Sequence, residues 1–281
     1  MRKIEVEKLT KVIRDMAIEA STIANPDLIE AIEKAKSKEQ SEVGVAVLSQ
    51  LLENIEIART NKMPICQDTG FTIIYMDVGQ EVQLVGGDIN EAINKGVAQG
   101  YVEGFLRKSI VENPITNPKN TGNNTPAIIH THIVPGDQVK ITMLPKGGGS
   151  ENMSRLKMMK PADGIEGIKE FVIETVSNAG GNPCPPTVIG VAIGGTFDYV
   201  AYLAKKAVTR KFGERNPNPK LAELEVELLE TINKLGIGPA GLGGNITSLD
   251  LFIEEFPRHI ATFPVAVNIQ CHAARVKTKT I

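Results

Sequence analysis

Met63-Pro64-Ile65-Cys66-Gln67-Asp68-Thr69-Gly70-Phe71 joins a helical first third of the chain to a run of strands. A thiol, an amide, a carboxylate and a hydroxyl stand in a row between a proline and a glycine, which is more chemistry than a connector needs. Pro64 fixes the approach to Cys66, and Gly70 can take a backbone angle that other residues avoid. Two readings follow. The loop presents Cys66 to a metal centre and Asp68 to a substrate, or it is a buried turn with a packed thiol and an Asp bonding its own backbone.

Upstream of this loop, Ile4, Leu9, Val12, Ile13 and Met16 recur at helical spacing. Asn25-Pro26-Asp27 reads as a cap with proline at the first helical position. Ser37-Lys38-Glu39-Gln40 reads as a capping box that opens a helix to about Ala58. Downstream, Thr72–Val78 is a strand, and Asp88 caps a helix that runs to near Arg107. An arginine at a helix end is a dipole or surface partner, or a fork for a substrate carboxylate.

Residues 111–125 read as a loop. Pro126–Val134 and Gln138–Leu144, joined by Pro135-Gly136-Asp137, predict a β-hairpin. Lys146-Gly147-Gly148-Gly149-Ser150-Glu151-Asn152 can expose successive N–H groups as an anion nest, or it is a flexible loop. Helices are predicted over 163–178, 197–211 and 219–235, with a buried strand over Thr187–Ile193. Gly236–Gly241 fits GxGxxG, but it follows a helix and contains Pro239, so a dinucleotide site is rejected. A last strand over Ala261–Gln270 leads to Cys271-His272-Ala273-Ala274-Arg275, and Arg275–Lys279 reads as a solvated tail.

The chain has 281 residues, 42% hydrophobic and 23% charged, with a formal charge of −2. That allows a sizeable core, as one domain over 1–281 or as two packed lobes. No long basic run and no tryptophan are present, which argues against nucleic acid as a partner. No apolar run reaches the roughly 18 residues of a membrane span, and no apolar signal core follows Met1. The expectation is a cytoplasmic protein of mixed α+β class, helix-rich, with short sheets supporting loops.

Its three cysteines, Cys66, Cys184 and Cys271, are widely spaced and form no CxxC pair, which leaves no disulfide framework. Each lies in or beside a loop near Gly or Pro. If they converge, they make a three-thiolate site. Iron–sulfur clusters usually take four cysteines, so three on a four-iron cluster leave one iron open as a Lewis acid. A three-Cys zinc site with water fits the same residues. His130-Thr131-His132 puts two imidazoles on one strand face without an evident third ligand, so a structural pair is expected. His259, between Arg258 and an apolar strand, is a candidate acid–base group on the expectation that it is partly desolvated; His272 is expected to be structural.

Taken together, these segments resemble the α subunit of class I iron–sulfur fumarate hydratases and L(+)-tartrate dehydratases, equivalent to the N-terminal domain of the single-chain class I enzymes. The resemblance is carried by Pro64–Gly70, Gly122-Asn123-Asn124-Thr125-Pro126, Lys146–Asn152, Pro183-Cys184-Pro185-Pro186, Gly190–Thr196, Gly241–Asn245 and the stretch from His259 to Arg275. It implies that Cys66, Cys184 and Cys271 hold a [4Fe-4S] cluster with one iron free of protein ligands. It places Gln67, Asp68, Arg107, Gly148 and Gly149 around a C4 dicarboxylate, with Asp68 and His259 as acid–base groups. It further implies a β subunit as partner, in an α2β2 assembly or with a homodimer of α. Reversible hydration of fumarate to (S)-malate is the first reading. Dehydration of L(+)-tartrate to oxaloacetate is the alternative. A non-catalytic iron–sulfur electron carrier needs a fourth protein ligand, and there is no fourth cysteine.

Overall fold

A computed structural model describes residues 1–281. In chain order its elements are β1 (Arg2–Glu5), α1 (Val6–Thr22), α2 (Pro26–Lys38), α3 (Glu42–Asn61), β2 (Phe71–Gly79), β3 (Val82–Val85), α4 (Ile89–Glu103), β4 (Val111–Glu112) and β5 (Lys119–Asn120). There follow β6 (Ile128–Val134), β7 (Val139–Lys146), a single turn α5 (Gly148–Glu151), β8 (Arg155–Met159), α6 (Gly164–Ala179), β9 (Thr187–Gly194) and α7 (Phe197–Ala207). The chain ends with α8 (Pro219–Asn233), β10 (Ser248–Phe256), β11 (Phe263–Gln270) and β12 (Lys277–Thr280). The class is mixed α and β, as the sequence predicts. Two compact units emerge: Met1–Asn25 with Ile55–Gly148 and Arg275–Ile281, and Pro26–Asn54 with Gly149–Ala274.

The first unit is built on a sheet of order β12-β7-β2-β6. β2 pairs parallel with β6 and antiparallel with β7. Ile74, Met76 and Val78 of β2 join Leu9, Ile13 and Met16 of α1 and Ile93, Val97 and Tyr101 of α4 in one core. The predicted hairpin of 126–144 is therefore wrong, because β6 and β7 are not neighbours. Ile73–Met76 is buried on both faces, and such a strand gains most in the middle of a sheet. The Pro135–Asp137 connection arches over its end, where Gly79 N–H donates to the Gln138 carbonyl and Gln80 N–H to that of Val134. A Cβ on Gly79 would stand only 2.3 Å from the Gly136 oxygen, so this crossing requires glycine.

The second unit has a sheet of order β10-β9-β11-β8. α6 and α8 cover one face, with Val172, Val176, Leu224 and Leu228 against Ile189, Val191, Leu251 and Val267. α7 covers the other face through Val200 and Ala204 against Ala192 and Ala266. This sheet contains two strands absent from the sequence reading. β8 is a charged edge strand, and β10 carries Asp250, Glu254 and Glu255 among its apolar residues.

Other boundaries differ for local reasons. Ser37 and Lys38 end α2 instead of capping α3. Ser41 is the cap, its Oγ accepting from Gly44 N–H at 3.2 Å. The buried Glu39 carboxylate instead accepts from the N–H groups of Gln40, Ser41, Asn245 and Ile246, at 2.8–3.1 Å. α4 stops at Glu103, ahead of Gly104, so Arg107 is not at a helix end. The supposed solvated tail is β12, paired with β7, and its Lys277 and Lys279 both reach Glu19.

Candidate active site

In the first unit, the loop from Cys66 to Gly70 is held from several directions. Ile65 N–H donates to the Ser21 carbonyl at 2.8 Å at its start. Thr69 Oγ1 donates to the Arg107 carbonyl at 2.8 Å. The buried Tyr101 hydroxyl donates towards the carbonyls of Thr69 and Gly70, at 2.8 and 3.0 Å. Asn124 Nδ2 also reaches the Gly70 carbonyl at 3.0 Å, and Asn124 Oδ1 takes Ser109 N–H. Gly70 has a φ of +81°, and a Cβ there would lie 2.8 Å from the Lys146 backbone. No L side chain suits that position. Burial pushes the Tyr101 phenol above its ordinary pKa.

Asp68 is the centre of this arrangement. Its Oδ1 accepts from Gly70 N–H at 3.0 Å, and its Oδ2 accepts from Gly148 N–H at 2.8 Å. Its carbonyl accepts from Arg275 Nη1 at 2.6 Å. Of the Lys146–Asn152 stretch, the Gly148 N–H is the donor that reaches the Asp68 carboxylate. Cys66 is half-buried, with its Sγ 3.4 Å from Gln67 Oε1, and the Gln67 side chain is exposed. Arg107 is exposed too, and its carbonyl is its contact with the loop. Gly149 belongs to the second unit and is exposed.

In the second unit, Cys184 sits on an exposed loop with a φ of +55°. Its carbonyl accepts from His272 N–H at 3.3 Å, so the loops carrying Cys184 and Cys271 meet through their backbones. None of the three cysteines is in a disulfide. No three His, Cys, Asp or Glu side chains are gathered tightly enough to hold a metal ion by themselves. The donor chemistry nevertheless suits an iron–sulfur cluster, since all three thiols sit on loops. Gln270, directly before Cys271, is fully buried with both amide atoms lacking partners, so unpaired polar atoms adjoin this cysteine loop.

His259 departs from expectation. It is exposed on the turn after β10, and its Nδ1 accepts from Ala261 N–H at 3.1 Å. The apolar strand that was expected to desolvate it begins only at Phe263. His132 lies 3.5 Å from Asp77 and His130 stacks on Tyr75, which suits the structural reading of that pair.

Arg275, Tyr101 and Asn124 received no site role from the sequence. The alternation Lys277-Thr278-Lys279-Thr280 is the one sequence sign that the segment after Cys271 is a strand and that Arg275 is tied down.

A family model described as fumarate hydratase (Fumerase) matches residues 10–280. A protein of Methanocaldococcus jannaschii, provisionally named an L(+)-tartrate dehydratase subunit alpha, is 46% identical over 280 residues, 98% of each chain. The L(+)-tartrate dehydratase subunits alpha of Escherichia coli K12 and Shigella sonnei are each 35% identical over 273 residues, covering 96% of this chain and 89% of theirs. With matches of this extent, the chain belongs to the fumarate hydratase (Fumerase) family.

Proposed function

We propose that this chain is the α subunit of an iron–sulfur hydro-lyase that dehydrates L(+)-tartrate to oxaloacetate. The names of its relatives favour tartrate over fumarate, reversing the order that the sequence suggests. Hydration of fumarate to (S)-malate is the second reading, favoured by the description of the matching family. The geometric observation that carries the proposal is Asp68, two residues after Cys66, with its carboxylate oriented by Gly70 and Gly148.

Cys66, Cys184 and Cys271 would hold a [4Fe-4S] cluster, which when bound supplies a Lewis acid for the substrate hydroxyl. Asp68 handles a proton at that hydroxyl, because each of its oxygens keeps a lone pair beyond the one N–H it accepts. The exposed Gln67 amide and Arg107 guanidinium can orient the substrate carboxylates, Arg107 through a bidentate fork. The resemblance adds the backbones of Gly148 and Gly149 to the substrate-binding groups. The acid–base role that the resemblance gives His259 lacks the desolvation meant to support it, because the ring faces solvent. Elimination also needs a base for the proton on C3, and a β subunit would bring it, in an α2β2 assembly.

The test is anaerobic turnover of L(+)-tartrate and (S)-malate by the cluster-loaded chain, with and without the β subunit. Activity is expected only with the partner, and faster on tartrate. Full turnover by the chain alone removes the partner requirement, and faster malate turnover selects the second reading.

A further inference from the structure

Arg275 has a chemistry that the proposed reaction has not used. It is 3% exposed, so a permanent cation is buried. Nη1 donates to the Asp68 carbonyl at 2.6 Å, Nε has no hydrogen-bond partner, and no carboxylate forms an ion pair with it. A buried guanidinium that makes no direct ion pair is costly, and the Asp68 carboxylate is the anion it converges on beside Gly147. The surroundings show how it is held. Asn25 Nδ2 fixes the Val276 carbonyl at 2.8 Å, and β12 locks the following residues to β7. The guanidinium is therefore delivered from a rigid edge. Gly147 leaves space where the two groups converge: a Cβ there would stand 3.1 Å from Asp68 Oδ2 and 3.7 Å from Arg275 Nη2.

We propose that Arg275 is a positioning residue for Asp68. It fixes the main chain of the Cys66–Gly70 loop at the Asp68 carbonyl, and so keeps the carboxylate on the N–H groups of Gly70 and Gly148. This rests on the proposed acid–base role of Asp68 for its consequence in catalysis, and on the hydrogen bonds of Arg275 and Asp68 alone for its effect on the loop.

The experiment has two arms that fail separately. In the first, amide hydrogen exchange is followed by NMR at Gly70 and Gly148 in wild type, R275Q and R275K, without cluster or substrate. R275Q is expected to speed exchange at both amides about 30-fold, and R275K, a single donor in place of the fork, about 5-fold, with distant β9 amides unchanged. Unchanged protection at Gly70 and Gly148 overturns the proposal. If R275Q does not fold, R275K decides by the same criterion.

In the second arm, the variants are loaded with iron and sulfide and assembled with the β subunit. R275Q is expected to keep its iron content and KM while kcat falls about 100-fold, with about 10-fold recovered in R275K. A rise in KM at constant kcat assigns Arg275 to substrate binding and overturns positioning. Loss of iron in step with activity assigns it a structural role and also overturns it. If the wild-type assembly turns over neither tartrate nor malate, the functional reading fails while the exchange result stands.

Discussion

Tyr101 shows how a single buried hydroxyl shapes the loop that carries Cys66 and Asp68. Its oxygen lies within hydrogen-bond distance of the Thr69 and Gly70 carbonyls and accepts from Thr72 Oγ1 at 3.3 Å. Tyr101→Phe strands the Thr69 carbonyl, and urea unfolding is expected to show a loss of about 1–3 kcal/mol. The phenol also adds a pH dependence. Burial raises its folded pKa above the usual value of 10.0, so its contribution is fully present below pH 10 and is lost as pH rises from there through the folded pKa. Alkaline unfolding of wild type should steepen above about pH 10, and the Phe variant should lack that component. Equal alkaline profiles would refute the assignment. At this scale Cys66, Gln67 and Asp68 are legible in sequence because they are consecutive. The groups that hold them are not: Tyr101 is 32 residues from Thr69, Asn124 is 54 from Gly70 and Arg275 is 207 from Asp68.

At the scale of elements, the Glu39 carboxylate serves as a four-way acceptor within the second unit. It takes the N–H groups of Gln40 and Ser41 ahead of α3, and those of Asn245 and Ile246 in the glycine-rich loop before β10. A Cβ on Gly244 would stand 2.7 Å from the same carboxylate, which accounts for glycine there without any bound nucleotide. Glu39→Ala leaves the buried or half-buried N–H groups of Ser41, Asn245 and Ile246 without this acceptor, while the exposed Gln40 keeps Asn245 Oδ1. Thermal unfolding should record a loss of about 3 kcal/mol, against under 1 kcal/mol for an exposed control such as Glu53→Ala. The same residue misleads a sequence reading, because Ser37–Gln40 has the spacing of a capping box while its glutamate is spent on a contact about 200 residues away. The hairpin fails for a related reason. Two strands and a Pro-Gly-Asp turn encode a reversal, and nothing local in them reports that β2 lies between.

At the scale of the whole molecule, the proposed function predicts that the protein depends on iron. Prepared without air, it should bind about four irons per chain, and in air iron content and partner-dependent activity should fall together. An air-stable activity indifferent to iron chelators would count against the cluster. No helix is long and apolar enough to cross a membrane. By itself the sequence determined the mixed α and β class, most helices, the buried strands β2 and β9, the three loop cysteines and the family resemblance. Those features depend on local periodicity, on residue chemistry and on short motifs, which are readable along the chain. Only the tertiary structure decided that β2 separates β6 from β7, that the tail is a strand, that Gly148 N–H meets Asp68, that Arg275 is buried beside it and that His259 faces solvent. Each of these depends on which distant segment fills a given place in a sheet or core. That choice is made by burial and hydrogen-bond satisfaction summed over a whole unit.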